Sequence, residues 1–149
     1  MLVSDFAFQH SFRVRWSETD AQGVVFNARY LDYGDIAITE YWRAVGLRAA
    51  HPDEPLEFHV ARATVNFRKT IAPDEMITVT ARTSATGRTS FTQQVGIFGS
   101  GGDDDLRADI DLVNVHVDLA THKPVPLPQW LPAFFADFDK KPKLAKKTA

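Results

Sequence analysis

The sequence predicts an α+β fold in which an antiparallel sheet of five strands packs against one long helix. Three observations carry that prediction. An alternating segment opens the chain, a long and unusually apolar helical segment follows it, and about sixty later residues read only as strands joined by short turns. Short links imply antiparallel neighbours, because parallel strands need a long crossover between them.

The first strand is read from the alternation of Phe8, His10, Phe12, Val14 and Trp16 against Gln9, Ser11, Arg13 and Arg15. "SETDAQG" interrupts it. A helix is then expected from Asn27 to Val45, with Asn27 as N-cap and Gly46 as the C-terminal stop. Its apolar residues, among them Tyr30, Leu31, Tyr33, Ile36, Ala37, Ile38, Tyr41 and Trp42, cover more than half its circumference. Such a helix needs cover from a curved sheet, or from a sheet and a second subunit.

Four strand segments follow: "FHVARATVNFRK", "EMITVTARTSAT", "RTSFTQQVGIFGS" and "LRADIDLVNVHVDLA". The breaks "APDE", Gly87, "GSGGDDD" and "THKPVP" have hairpin chemistry. In the last strand the polar parity of Arg107, Asp109 and Asp111 passes to Val113, Val115 and Val117, so a bulge or a change of cover is expected near Leu112. "PQWLPAFFADF" reads as a short terminal helix or turn. Residues 1–138 are taken as one domain, and the Lys-rich 139–149 as a solvated, disordered tail.

Composition narrows the function classes. A net charge of −2 supplies no basic face for nucleic acid, and no apolar run approaches the ~20 residues of a membrane span. With no cysteine there is no disulfide, thiolate zinc site or cysteine nucleophile, which is compatible with the cytoplasm. The five histidines lack metal-binding spacing, no G-x-S-x-G occurs, and "GSGG" beside Asp103, Asp104 and Asp105 reads as a hairpin tip. His10 and His116 read as packing residues, and His59, at the start of the second strand, as packing or pocket lining.

What remains is "WSETDAQGVVFNARYLDYGDIA". It holds Glu18 and Asp20 before Gly23, which permits a tight turn, and then a helix start whose unpaired N–H groups and positive dipole end suit an oxyanion. By spacing alone Asp20 is a turn cap or a functional carboxylate.

"RVRWSETDAQGVVFNARYLDYGDIA" resembles the opening of hotdog-fold acyl-CoA thioesterases of the 4-hydroxybenzoyl-CoA thioesterase type: an aspartate, two variable residues, Gly-Val-Val, an aromatic, and a Tyr-bearing helix. "FHVARATVNFRKTIAPDEMITV", "GRTSFTQQVGIF" and "VNVHVDLATHKPVPLP" resemble the family's later segments, so the likeness runs from about Gln9 to Pro132. It implies the hotdog fold, five antiparallel strands wrapped around a central helix, and homodimers or homotetramers with sites at subunit interfaces. It also implies hydrolysis of an acyl-CoA to free acid and coenzyme A, with no metal or other cofactor beyond the coenzyme A of the substrate.

Residue by residue, the resemblance assigns the catalytic carboxylate to Asp20 in preference to Glu18, and the carbonyl-polarising N–H to Asn27. Gly23, Val25, Phe26 and Tyr30 are expected to shape the pocket. A second backbone donor is expected around Phe58 to Val60, including His59 and Val60, from the other subunit. Arg88 and Ser90, with Arg68 and Lys69, are the candidates for holding the coenzyme phosphates. An acyl-carrier-protein thioesterase and a non-catalytic acyl-CoA-binding subunit are the alternatives.

Overall fold

In the computed structural model of the protein, residues 1–140 are described. The strands β1 (Phe8–Arg13), β2 (Phe58–Phe67), β3 (Met76–Thr86), β4 (Ser90–Phe98) and β5 (Leu106–His116) form one antiparallel sheet in the order β1-β3-β4-β5-β2. Helix α1 (Arg29–Val45) lies on one face of it, a single turn α2 (Leu47–Ala50) follows, and α3 (Leu131–Asp139) closes the far end. Five antiparallel strands around one long helix is the architecture expected.

The helix begins two residues after the position expected for it. Asn27 and Ala28 form a lead-in turn, in which the Arg29 and Tyr30 N–H groups donate to the Phe26 and Asn27 carbonyls, and no side chain caps the end. Gly46 ends the helix with φ 78°, the left-handed conformation that glycine adopts without a Cβ penalty. Tyr30, Tyr33, Gly34, Ala37, Ile38 and Tyr41 are the buried stripe. Gly34 packs closely on the sheet, since a Cβ there would meet Ile110 Cδ1 at 3.0 Å. Across the interface, Ile77, Val79, Ala81, Val95, Ile97 and Ile110 are fully buried. Leu31 stays 44% exposed, so the sheet covers a stripe of the helix and leaves part of its apolar surface open.

Two local expectations are corrected. Trp16 does not continue the inward face of β1. The Glu18 carboxylate accepts the Arg15 N–H at 2.7 Å and the Trp16 carbonyl accepts the Thr19 hydroxyl, so the chain coils into a 3₁₀ turn and leaves Trp16 73% exposed. Nor does β5 change parity at Leu112: Ala108, Ile110, Leu112, Asn114 and His116 all remain on the buried side. The two polar members have partners there, Asn114 with Gln93 and the Leu112 carbonyl, and His116 Nδ1 with the Pro126 carbonyl at 2.9 Å. The irregularity sits on the neighbouring strand instead, between Val60 and Arg62.

The expected tail begins at Asp139, where helix α3 is still running. Asp139 ends α3, and its carboxylate accepts the Tyr41 hydroxyl at 2.9 Å and the Thr83 N–H at 3.0 Å, beside the register shift between Thr83 and Ala85. The rest of the expected tail, 141–149, lies outside the described residues. Replacing Asp139 with Ala leaves the hydroxyl of the buried Tyr41 and a strand N–H without that acceptor, a loss of about 1–3 kcal/mol. Denaturant unfolding is expected to show it as a lower midpoint with an unchanged m-value, and a smaller loss for Tyr41→Phe.

Candidate active site

Where the 19–26 segment passes the start of α1, a cavity of about 630 Å³ opens between that segment and the 67–70 segment after β2. Its wall includes Asp20, Val25, Phe26, Asn27, Tyr30, Phe67, Arg68, Lys69 and Thr70. Seven residues singled out in the sequence therefore meet here: Asp20, Val25, Phe26, Asn27, Tyr30, Arg68 and Lys69.

Backbone hydrogen bonds build the turn that carries Asp20. The Asp20 N–H donates to the Val24 carbonyl at 2.9 Å and the Gly23 N–H to the Asp20 carbonyl at 3.0 Å, with Gly23 at φ 75°. Gly23 is not in the wall. It serves the turn by conformation, since a Cβ there would touch nothing within 4 Å. The Val25 N–H donates to the Ile71 carbonyl and the Phe26 N–H to the Glu18 carbonyl, which fixes the two residues leading into the helix.

The two acids do different work. Glu18 is occupied: one oxygen accepts both the Arg15 N–H and the Tyr33 hydroxyl, the latter at 3.1 Å. Burial and the Glu18 charge push the Tyr33 phenol well above its ordinary range, so it remains a donor to that carboxylate. Asp20 has one oxygen oriented by the Gln22 N–H at 2.8 Å, while its Oδ2 has no hydrogen bond among the described residues. The Asn27 and Ala28 N–H groups are likewise without a partner among the described residues, at the positive end of a 17-residue helix. Asp20, with a free carboxylate oxygen, and Asn27, with a free helix-end N–H, thus border one cavity, which is what polarising a carbonyl and activating an attacking oxygen require.

Phe67, which the sequence pattern did not single out, meets Tyr30 edge-on with ring centroids 5.0 Å apart and makes the aromatic wall. An aromatic just before Arg68 and Lys69 was its only signal. Arg68 donates to Asp109 at 2.9 Å and Lys69 Nζ lies 3.6 Å from Asp105, yet both side chains are more than half exposed at the mouth.

Below them Arg107 bridges Glu75 and Asp105. Hydrogen bonds from Arg107 hold the Asp105 carboxyl down to about 2. For Glu75, burial pushes upward, but Arg107 and the Ala72 and Ser100 amides outweigh it and leave the carboxyl lowered. The expected hairpin tip is present, residues 99–105 joining β4 to β5, and Asp105 closes it as a residue anchored by Arg107.

His59, Val60, Arg88 and Ser90 are not at this cavity. His59 and Ser90 both register opposite Val115, whereas Phe67 registers opposite Ala108, so strand direction places these four toward the other end of the sheet, about 23 Å away at ~3.3 Å per residue. There His59 stacks on His122, Val60 is 58% exposed and the Arg88 carbonyl accepts the Leu127 N–H. Among the described residues no group of three or more His, Asp or Glu side chains is placed to hold a metal ion, and no helix is long and apolar enough to cross a membrane.

The family model of the thioesterase-like superfamily matches residues 14–135. Among solved structures, a thioesterase from Thermus thermophilus complexed with coenzyme A and zinc is similar at 25% identity and TM-score 0.76, over 93% of this chain and 98% of that one. A DHNA-CoA thioesterase from Staphylococcus aureus shares the fold at 21% identity and TM-score 0.74, over 87% of each chain. So does a 4-hydroxybenzoyl-CoA thioesterase variant complexed with 4-hydroxybenzoyl-CoA, at 19% identity and TM-score 0.76, over 86% of this chain and 97% of that one. No curated protein sequence matches the chain.

The Arg107 cluster makes stability depend on acid pH with a definite sign. Asp105 and Glu75 have folded-state pKa values below their ordinary 3.8 and 4.5, so their contribution is present above about pH 4.5 and is lost as pH falls toward 2. Denaturant midpoints measured from pH 6 to 2 are expected to fall over that window. Arg107→Met should lose about 3 kcal/mol at pH 6, the cost of leaving buried charge unpaired, and show a flatter decline.

Proposed function

Because the chain belongs to the thioesterase-like superfamily, matched over residues 14–135, we propose that it hydrolyses an acyl-CoA to the free acid and coenzyme A. The observation that carries this reading is the pairing, at one cavity, of the free Asp20 oxygen with the unpartnered Asn27 N–H. The substrate carbonyl oxygen accepts the Asn27 N–H, and the Ala28 N–H beside it is a second donor from the same helix end. Asp20 takes a proton from water as the water oxygen attacks the carbonyl carbon, or itself attacks through Oδ2 to form a mixed anhydride that water then opens. In either route the C–S bond breaks and the thiolate of coenzyme A takes up the proton. A thioester suits so small a set of groups, because its leaving thiol has a pKa near 8.5 and needs little acid assistance. The reaction calls on the chain and water alone, and the cysteine-free sequence suits a cytoplasmic setting.

The active unit in this proposal is a homodimer, or a tetramer made of such dimers, joined through β2. That strand is one edge of the sheet and is exposed along most of its length, Val60 and Phe67 included. Antiparallel pairing of two β2 strands about their midpoints sets the partner's His59 and Val60 opposite Asn66 and Val65 of this chain, next to Phe67 and Arg68 of the cavity wall. The same pairing moves the partner's Arg88 and Ser90 toward the phosphate end of the substrate, where Arg68 and Lys69 already stand.

A hydrolysis screen over short, long and aromatic acyl-CoAs is expected to find turnover in the wild type and a ~10²–10⁴-fold lower kcat in Asp20→Ala and Asp20→Asn. Full activity in Asp20→Ala overturns the site assignment, and tight acyl-CoA binding without hydrolysis identifies a binding subunit instead. For the dimer, light scattering at low micromolar concentration is expected to give twice the chain mass or more. Ala63→Asp, which puts a charge on the exposed β2 strand, should yield monomers.

A further inference from the structure

Outside the reacting groups, Arg107 is the residue most completely committed to the cavity's construction. All five of its guanidinium N–H donors have acceptors. Nε and Nη2 donate to the two Asp105 oxygens at 3.0 and 2.8 Å, Nη1 and Nη2 donate to the two Glu75 oxygens at 2.9 and 2.8 Å, and Nη1 also donates to the Thr70 carbonyl at 2.7 Å. Its own carbonyl accepts the Arg68 and Lys69 N–H groups at 2.8 and 3.1 Å. One residue therefore grips the 68–70 wall twice, by its N–H groups and by its carbonyl.

The grip extends to the reacting segment. Ile71, next to Thr70, offers the carbonyl that receives the Val25 N–H at 2.9 Å, and Val25 leads through Phe26 to Asn27. Val25 also bridges back to Thr19, the residue before Asp20. The path from Arg107 to both reacting groups thus runs through the backbone of Thr70 to Ala72: the guanidinium pins the Thr70 carbonyl directly, and Glu75, which it also holds, accepts the Ala72 N–H on the peptide whose Ile71 carbonyl receives Val25. Tyr30, in the cavity wall, lies close enough for the Arg107 charge to offset part of the burial that raises its phenol.

We infer that Arg107 is the positioning residue of this site: through the Thr70 carbonyl it sets where the Val25–Asn27 segment and Asp20 stand relative to each other. The inference rests on the thioesterase reading of the cavity for its catalytic consequence, while the mechanical link is independent of it. A lysine at 107 keeps the charge and the backbone carbonyl but lacks the planar fork needed to reach Glu75, Asp105 and Thr70 together.

The test compares wild type with Arg107→Lys below the melting temperature of both, in acyl-CoA hydrolysis and in hydrogen exchange read by mass spectrometry. Exchange is expected to rise in peptides spanning 20–28 and 67–72 while the β3–β4 hairpin stays at the wild-type rate. Misplacement of reacting groups by about an ångström costs on the order of 10²-fold, so kcat should fall by about that factor. KM should change less than about fivefold, because Arg68 and Lys69 keep their acid partners and their bonds to the 107 carbonyl. Unchanged exchange in those two peptides, a uniform rise over the whole chain, or wild-type kcat in the folded variant overturns the inference. If wild type turns over no acyl-CoA, the thioesterase reading fails, and the exchange pattern by itself still decides whether Arg107 holds the segment.

Discussion

Burial of Tyr33, Gly34, Ala37 and Tyr41 of α1 against Ile77, Val79, Ile97 and Ile110 determines where both ends of that helix fall. Each large side chain moved from water into this layer contributes roughly 1.5–3 kcal/mol, and the contact of Gly34 with Ile110 lets the helix sit close to the sheet. With the helix seated, its N-terminal N–H groups have one possible location, beside the end of β1 and the segment after β2. At its other end Tyr41 reaches Asp139, which ties α3 over the core. The cavity exists because the packed stripe runs to Tyr30 and stops, leaving the lead-in turn of Asn27 and Ala28 at the surface.

Around that seat, electrostatics separate groups of the same type. Glu18 and Asp20 are two residues apart and chemically alike, yet Glu18 is held by a backbone N–H and a buried phenol, whereas Asp20 keeps an oxygen free. Behind the opposite wall, Asp105 and Glu75 are both held by Arg107. Of the two acids, Asp20 is the one whose neighbours ask only half of it.

Much of this was legible from residue order. The alternation in Phe8 to Val14 marked a half-buried strand, the apolar helix ending at Gly46 needed cover, and "DAQGVVFN" carried an acid, a turn glycine and a helix start in sequence. Local chemistry sufficed there because neighbours in the chain are neighbours in space. It failed at Trp16 and at Leu112, where alternation was extrapolated past its cause: a carboxylate cap turned the chain at the first, and buried hydrogen-bond partners kept polar residues inside at the second.

The sequence by itself determined the fold class, the strand-turn-helix segment that carries Asp20, and the identity of the groups able to meet a carbonyl. Those properties depend on short spacings, on side-chain periodicity, and on glycine's freedom at positive φ. Only the tertiary structure decided that Phe67 and the 68–70 segment complete the cavity, that Arg107 stands behind it, and that Arg88, Ser90, His59 and Val60 lie at the sheet's other end. The reason is strand register. Residues 25 and 71, or 70 and 107, become partners through hydrogen bonds between segments far apart in the chain, and no local pattern in either segment names the other.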